Sequence, residues 1–184
     1  MHRFAITVLC LIALAGCSSP DLRDSAMAEP AFDLPGSFTG HTRAWGQFQD
    51  RFGKVRRRFT VDIDGTWNGD VLTLNESFLY DDGATETRIW TLRRSDDNTW
   101  VGYADGVLGE ATGQIAGNAF NWRYVFDLPI GDGKTLHVAF DDWLWRQDER
   151  VVINRAYLSK FGVALGEVLI FFTKEDVPEV AVAL

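Results

Sequence analysis

Four polar side chains occupy positions that an apolar alternation would otherwise fill: Glu76, Arg88, Tyr124 and Arg155. In Leu72-x-Leu74-x-Glu76-x-Phe78-x-Tyr80 the glutamate shares a strand face with two leucines and two aromatics. Arg88 opens the run Arg88-x-Trp90-x-Leu92, and Tyr124 lies within Phe120-x-Trp122-x-Tyr124-x-Phe126-x-Leu128. Residues two apart on a strand point the same way, so these side chains project into an apolar interior. Arg155 is a fourth candidate, but its stretch, Val151 to Leu158, is apolar on both faces and leaves its direction open.

Charge placed among apolar side chains is costly unless it is matched. One chemistry that repays the cost is an internal ion-pair network specifying strand register. Another is a ligand site, with Glu76, Arg88, Tyr124 or Arg155 on a polar head and Trp90 and Trp122 against the body. Arginine pairs bidentately with carboxylate or phosphate, which suits a fatty acid or phospholipid head. A third is acid–base catalysis by Glu76, its pKa raised by burial, in a lyase, isomerase or hydratase acting on an acyl or isoprenoid chain. A hairpin centred on Asp82-Gly83 sets Glu76 opposite Trp90 and Phe78 opposite Arg88, which makes Glu76 and Arg88 diagonal neighbours.

Other chemistries find little support. His41 and His137 are isolated, and no paired-histidine spacing offers a zinc site. Asp141 and Asp142 are adjacent on a strand and point to opposite faces, so they do not chelate one ion; no metal and no cofactor is expected. The glycine-rich stretch Gly106 to Gly113 lacks the Lys-Ser/Thr ending of a phosphate loop, and its glycines suit strand bending and bulges. No nucleophile-elbow motif is present. The net charge of −8 argues against nucleic acid.

The elements that must position these residues are strands. Short alternating runs separated by turn signals continue from Gly36 to Leu184, beginning with a strand near Phe38 to Gln49 and ending with Val163 to Thr173. They number about ten. A flat meander of that size exposes its edges, so closure into an up-and-down antiparallel barrel is the economical architecture, with a β-sandwich as the alternative. The last strand (Val168, Leu169, Ile170, Phe171, Phe172) is apolar on both faces, which predicts a short helix or the N-terminal segment packed on its outside.

The first sixteen residues read as an export signal. Arg3 precedes the apolar run Phe4 to Ala13, which is too short to span a bilayer as a helix. Leu14-Ala15-Gly16-Cys17 resembles a bacterial lipobox, so Cys17 is expected to become an acylated N-terminus held in a membrane by a diacylglyceryl group. Ser18, rather than Asp, after the cysteine resembles the pattern of lipoproteins sent to the outer membrane, facing the periplasm. Residues 17–35, with three prolines and no periodic face, read as a flexible tether, and residues 36–184 as the β-barrel domain. The body then carries no thiol, since Cys10 leaves with the signal.

Several segments together carry a family likeness. They are Trp45-Gly46-x-Phe48-x-Asp50-Arg51-x-Gly53, Phe59-x-Val61-x-Ile63-x-Gly65-x-Trp67, Leu74-x-Glu76-x-Phe78-x-Tyr80-x-Asp82-Gly83, Ala104-Asp105-x-Val107-x-Gly109-Glu110-Ala111-x-Gly113, Gly117-Asn118-Ala119, Asp141-Asp142-Trp143 and Asn154-Arg155. The set resembles a family of proteobacterial lipoproteins known as domain of unknown function 3833. The resemblance implies a calycin- or lipocalin-like barrel and an envelope location. Genes of such proteins often lie near enzymes that modify membrane fatty acids, which implies a lipid-related role; no catalytic residues come with the likeness. The leading expectation is therefore a lipid-anchored barrel binding a fatty acyl or other lipid-like ligand. Its rivals are a filled barrel acting as a structural or interaction protein, and an acyl-chain enzyme.

Overall fold

A computed structural model describes residues 20–174. Ten antiparallel strands follow one another as a meander: β1 (Gly40–Asp50), β2 (Val55–Trp67), β3 (Val71–Tyr80), β4 (Thr85–Asp96) and β5 (Thr99–Ala104), then β6 (Ala111–Ala116), β7 (Ala119–Gly131), β8 (Lys134–Arg146), β9 (Val151–Lys160) and β10 (Val163–Lys174). Each strand pairs with the next, and β10 pairs with β1, so the sheet is a closed barrel without an edge. The all-β, ten-stranded, up-and-down architecture is the expected one; a sandwich is excluded by the β1–β10 ladder. Among the described residues, no helix is long and apolar enough to cross a membrane.

The two ends of the barrel differ. At one end lie the β2–β3, β4–β5, β6–β7 and β8–β9 turns, and here the chain enters through two short helices, α1 (Leu22–Ser25) and α2 (Leu34–Phe38). Phe38 of α2 meets the Phe172 ring edge-on at 5.4 Å, and Phe32 packs on Phe120 at 5.7 Å. Phe32, Leu34 and Phe38 are buried, together with Leu72, Trp100 and Val152. This end is plugged. The segment expected as a free tether is thus fastened to the barrel over its last residues, because its apolar side chains complete the core.

That plug also corrects the expectation for the last strand. The helix packs against Phe172 inside the barrel mouth rather than on the outer face, where Trp45 and Phe171 remain half exposed. The outward face of β9, β10, β1, β2 and β3 instead carries a groove of about 720 Å³ lined by Trp45, Thr60, Leu79, Ile153, Leu169 and Phe171.

Candidate functional site

Alternation assigns the interior. On β3 the inward side chains are Leu72, Leu74, Glu76, Phe78 and Tyr80; on β4 they are Leu92, Trp90, Arg88 and Glu86. Burial changes in step along both strands. Leu72, Leu74, Leu92 and Trp90 are buried near the plug, whereas Glu76, Phe78, Tyr80, Glu86 and Arg88 keep accessible surface. The Arg88 side chain is 20% exposed and that of Glu86, one step nearer the turn, 41%. Exposure therefore grows away from the plug on the β3–β4 side, whereas Phe126, Val138, Ala156 and Leu158 on β7, β8 and β9 stay buried toward that end, so the mouth is open on one side only. Across the interior, Tyr124 on β7 and Phe140 and Asp142 on β8 likewise retain accessible surface.

The aromatic wall is continuous. Trp90 meets Trp122 at 5.7 Å and Tyr124 at 5.2 Å, both edge-on, and Tyr124 stacks on Phe140 at 4.9 Å. The Trp122 indole lies close over β5 and β6, where a Cβ on Gly102 would stand 2.9 Å and one on Gly113 2.6 Å from its ring. Those glycines therefore make room for an inward tryptophan, which for Gly113 goes beyond the bending role expected of Gly106 to Gly113.

Within this wall sits a polar belt. Arg88 Nη2 donates to Glu86 Oε1 at 2.7 Å, and the Tyr80 hydroxyl donates to Glu86 Oε2 at 2.8 Å. The guanidinium lies between Phe78 and Phe126, 5.1 and 4.9 Å from their ring centres, where aromatic faces favour a cation. Glu76 is the direct register partner of Arg88 but makes no hydrogen bond among the described residues. Burial pushes the Glu76 carboxyl up to about 7, with the Arg88 charge opposing the rise. On the far side the Tyr124 hydroxyl donates to Asp142 Oδ2 at 3.4 Å, while Asp142 Oδ1 is buried with no partner among the described residues. Burial carries Asp142 up to about 7 as well, and the Tyr124 phenol well above its ordinary value.

The sequence-derived candidates separate into two groups. Glu76, Arg88, Trp90, Trp122 and Tyr124 converge on one interior. Arg155 does not join them: it faces outward, pairs with Glu167 at 2.6 Å and lies over Tyr157. The expected hairpin register is also off by two residues, since Glu76 faces Arg88 and Leu74 faces Trp90. A slip of two keeps every side chain on its face, so the interior set survives it. Sequence reasoning missed Asp142, Glu86 and Tyr80 as members of the belt. For Asp142 the signal was present in Val138-x-Phe140-x-Asp142-x-Leu144, an inward run that carries one acid. Asp141 does point the other way, toward Arg123 and Asn121 on the outside.

Residues 11–174 match the family described as "Protein of unknown function (DUF3833)". The chain belongs to that family. No curated protein matches it. Among solved structures, it is similar to an S-type phycobiliprotein lyase from Guillardia theta, with a TM-score of 0.58 at 10% identity, over 81% of this chain and 100% of that one. It also matches EF1p2_mFAP2b bound to DFHBI at a TM-score of 0.42 and 6% identity, over 78% of this chain and 100% of that one. At such identities the likeness to the lyase is one of fold.

Proposed function

We propose that this DUF3833 protein is a lipid-anchored envelope protein that holds a small, largely apolar ligand, of the fatty acyl or other lipid-like class, in its barrel. The observation that carries the proposal is the gradient of exposure along β3 and β4. Inward side chains are buried at the plugged end and regain accessible surface around Glu76, Phe78 and Arg88. Toward the same end Val138, Ala156 and Leu158 pack on Phe48 and Val168, so the opening is confined to the β3–β4 side. Here an aromatic wall ends in a polar belt beneath an open mouth, the arrangement of a pocket that buries a ligand body and orients one polar group. The lipid anchor rests on the lipobox-like Leu14-Ala15-Gly16-Cys17, which lies outside the described residues.

Organic extraction of the protein purified from its native envelope, followed by mass spectrometry, should release a stoichiometric apolar compound. An empty extract, together with no change in tryptophan fluorescence on adding twelve-carbon amphiphiles, would refute the ligand reading. The raised Glu76 carboxyl also favours an acid–base enzyme on the same ligand class. Glu76→Gln separates the two: turnover of the extracted compound would vanish with binding kept if the protein is an enzyme.

A further inference from the structure

This inference rests on the ligand reading above and narrows it. We propose that the ligand carries a basic nitrogen on its apolar body, seated as a cation between the Glu76 and Asp142 carboxyls. The sequence alone favours an acidic head on an arginine. The placement of donors and acceptors inside the barrel favours the reverse.

Three carboxyl groups, Glu76, Glu86 and Asp142, project into the belt, with Arg88 among them; a second cation, Arg57 of β2, lies over the Tyr80 ring at the mouth and is paired with Asp82. Glu86 accepts from both Arg88 and Tyr80 and is satisfied. Glu76 accepts from no described residue, and Asp142 has one distant phenol on Oδ2 and nothing on its buried Oδ1. The buried Asp142 Oδ1 lacks a donor, which is costly, and the partly accessible Glu76 carboxyl takes none from the described residues, so the unfilled need in this site is for donors. A carboxylate ligand would bring two more acceptors and a fourth negative charge. A protonated amine brings N–H donors and a positive charge, and forms the stronger charge-assisted hydrogen bonds.

The surroundings suit an organic cation. Trp90, Tyr124, Phe126 and Phe140 pack edge-on and stacked around the belt, and Arg88 already lies over Phe126, so the aromatic setting is one that accepts a cation. Other groups around the pair are Arg57 from β2, over Tyr80 and paired with Asp82, Tyr80 from β3, Glu86 and Arg88 from β4 and Tyr124 from β7; Asp141 on β8 points outward and adds only its charge. Asp142 feels the Glu76 charge and Tyr124 feels both carboxyls, so they act as one acidic site. Burial raises both carboxyls to about 7, against the Arg88 charge and, for Asp142, the Tyr124 hydrogen bond.

The test uses the purified full-length protein, delipidated, with dodecylamine, dodecanol and dodecanoic acid as probes below their micelle concentrations. Quenching of Trp90 and Trp122 reports binding. At about pH 8 dodecylamine should bind about tenfold or more tightly than dodecanoic acid, with dodecanol between. Lowering the pH to about 5.5 leaves the amine charged but protonates the two carboxyls, and the preference should shrink severalfold. Glu76→Gln with Asp142→Asn, folded by near-ultraviolet circular dichroism, should bind the amine no better than the alcohol. Dodecanoic acid binding as tightly as the amine in the native protein would overturn this inference while leaving the ligand reading intact. An amine preference that persists in the double variant, or that does not change with pH, would overturn it too. Failure of all three probes to bind would remove both.

Discussion

Glu76 and Arg88 stand directly opposite each other on β3 and β4, yet the arginine gives its hydrogen bond to Glu86, its own strand neighbour two residues away. The glutamate is left as a partly buried acid beside a cation already engaged, and its chemistry follows from that.

The first consequence concerns pH. Glu76 and Asp142 are held at about 7 in the folded chain and titrate near 4 when unfolded. Between those values the folded state binds more protons. The two groups therefore add stability that is full below about pH 4 and is lost as the pH rises through about 7. The Tm of the ligand-free protein should fall from about pH 5 to about pH 7.5, and Glu76→Gln with Asp142→Asn should flatten that fall. Asp50 and Asp82, lowered by their hydrogen bonds, act only at lower pH.

The interior and exterior arginines should differ sharply in urea unfolding. Arg88→Met strands Glu76 and Glu86 without a cation and should cost about 2–4 kcal/mol. Arg155→Met breaks a surface pair with Glu167 and should cost less than about 1 kcal/mol, with ligand binding unchanged.

The plug depends on a glycine. A Cβ at Gly65 would stand 1.7 Å from the Phe38 backbone oxygen, so Gly65→Ala must push α2 outward. Its cost should reach or exceed about 3 kcal/mol in denaturant unfolding. Phe38→Ala removes the ring that meets Phe172 and should cost about 3–5 kcal/mol by the loss of a buried aromatic.

One turn residue works against stability. Phe161, 94% exposed, has a φ of +50° at the tip of the β9–β10 hairpin, just before Gly162 at +77°. Asparagine tolerates this conformation far better than phenylalanine. Phe161→Asn should raise stability by about 1 kcal/mol, read from the same unfolding curves.

The anchor has its own check. Cys17→Ser should move the protein from the detergent phase to the aqueous phase on cloud-point partitioning and abolish incorporation of labelled palmitate.

Strand order and the inward set were legible because a period of two survives in a closed barrel, and each strand meets its sequence neighbour. The Glu76–Arg88 register was not, since it depends on how many residues the turn consumes: pairing stops at Leu79 and Thr85, leaving a wider loop than Asp82-Gly83 alone requires. The direction of Arg155 was hidden because β9 is apolar on both faces, Ile153 outward as well as Val152 inward. Asp142 was set aside as half of an acidic pair, although the alternation through Phe140 and Leu144 marks it as inward. The packing of Phe32 and Leu34 escaped notice because a single plug leaves no periodic signature.

The position of α1 bears on how the molecule stands. The helix touches β6 and β7 at the plugged end, where Ser25 lies against Gly117. Cys17 precedes Pro20 by only three residues, a reach of about 10 Å. Thirteen-residue strands such as β2, rising about 3.3 Å per residue and tilted by about 40°, make the wall roughly 33 Å tall. An acyl chain on that cysteine would seat the molecule on its base like a cup on a table. Whatever it takes up or gives away would then cross the aqueous side, from a carrier in solution rather than the leaflet beneath.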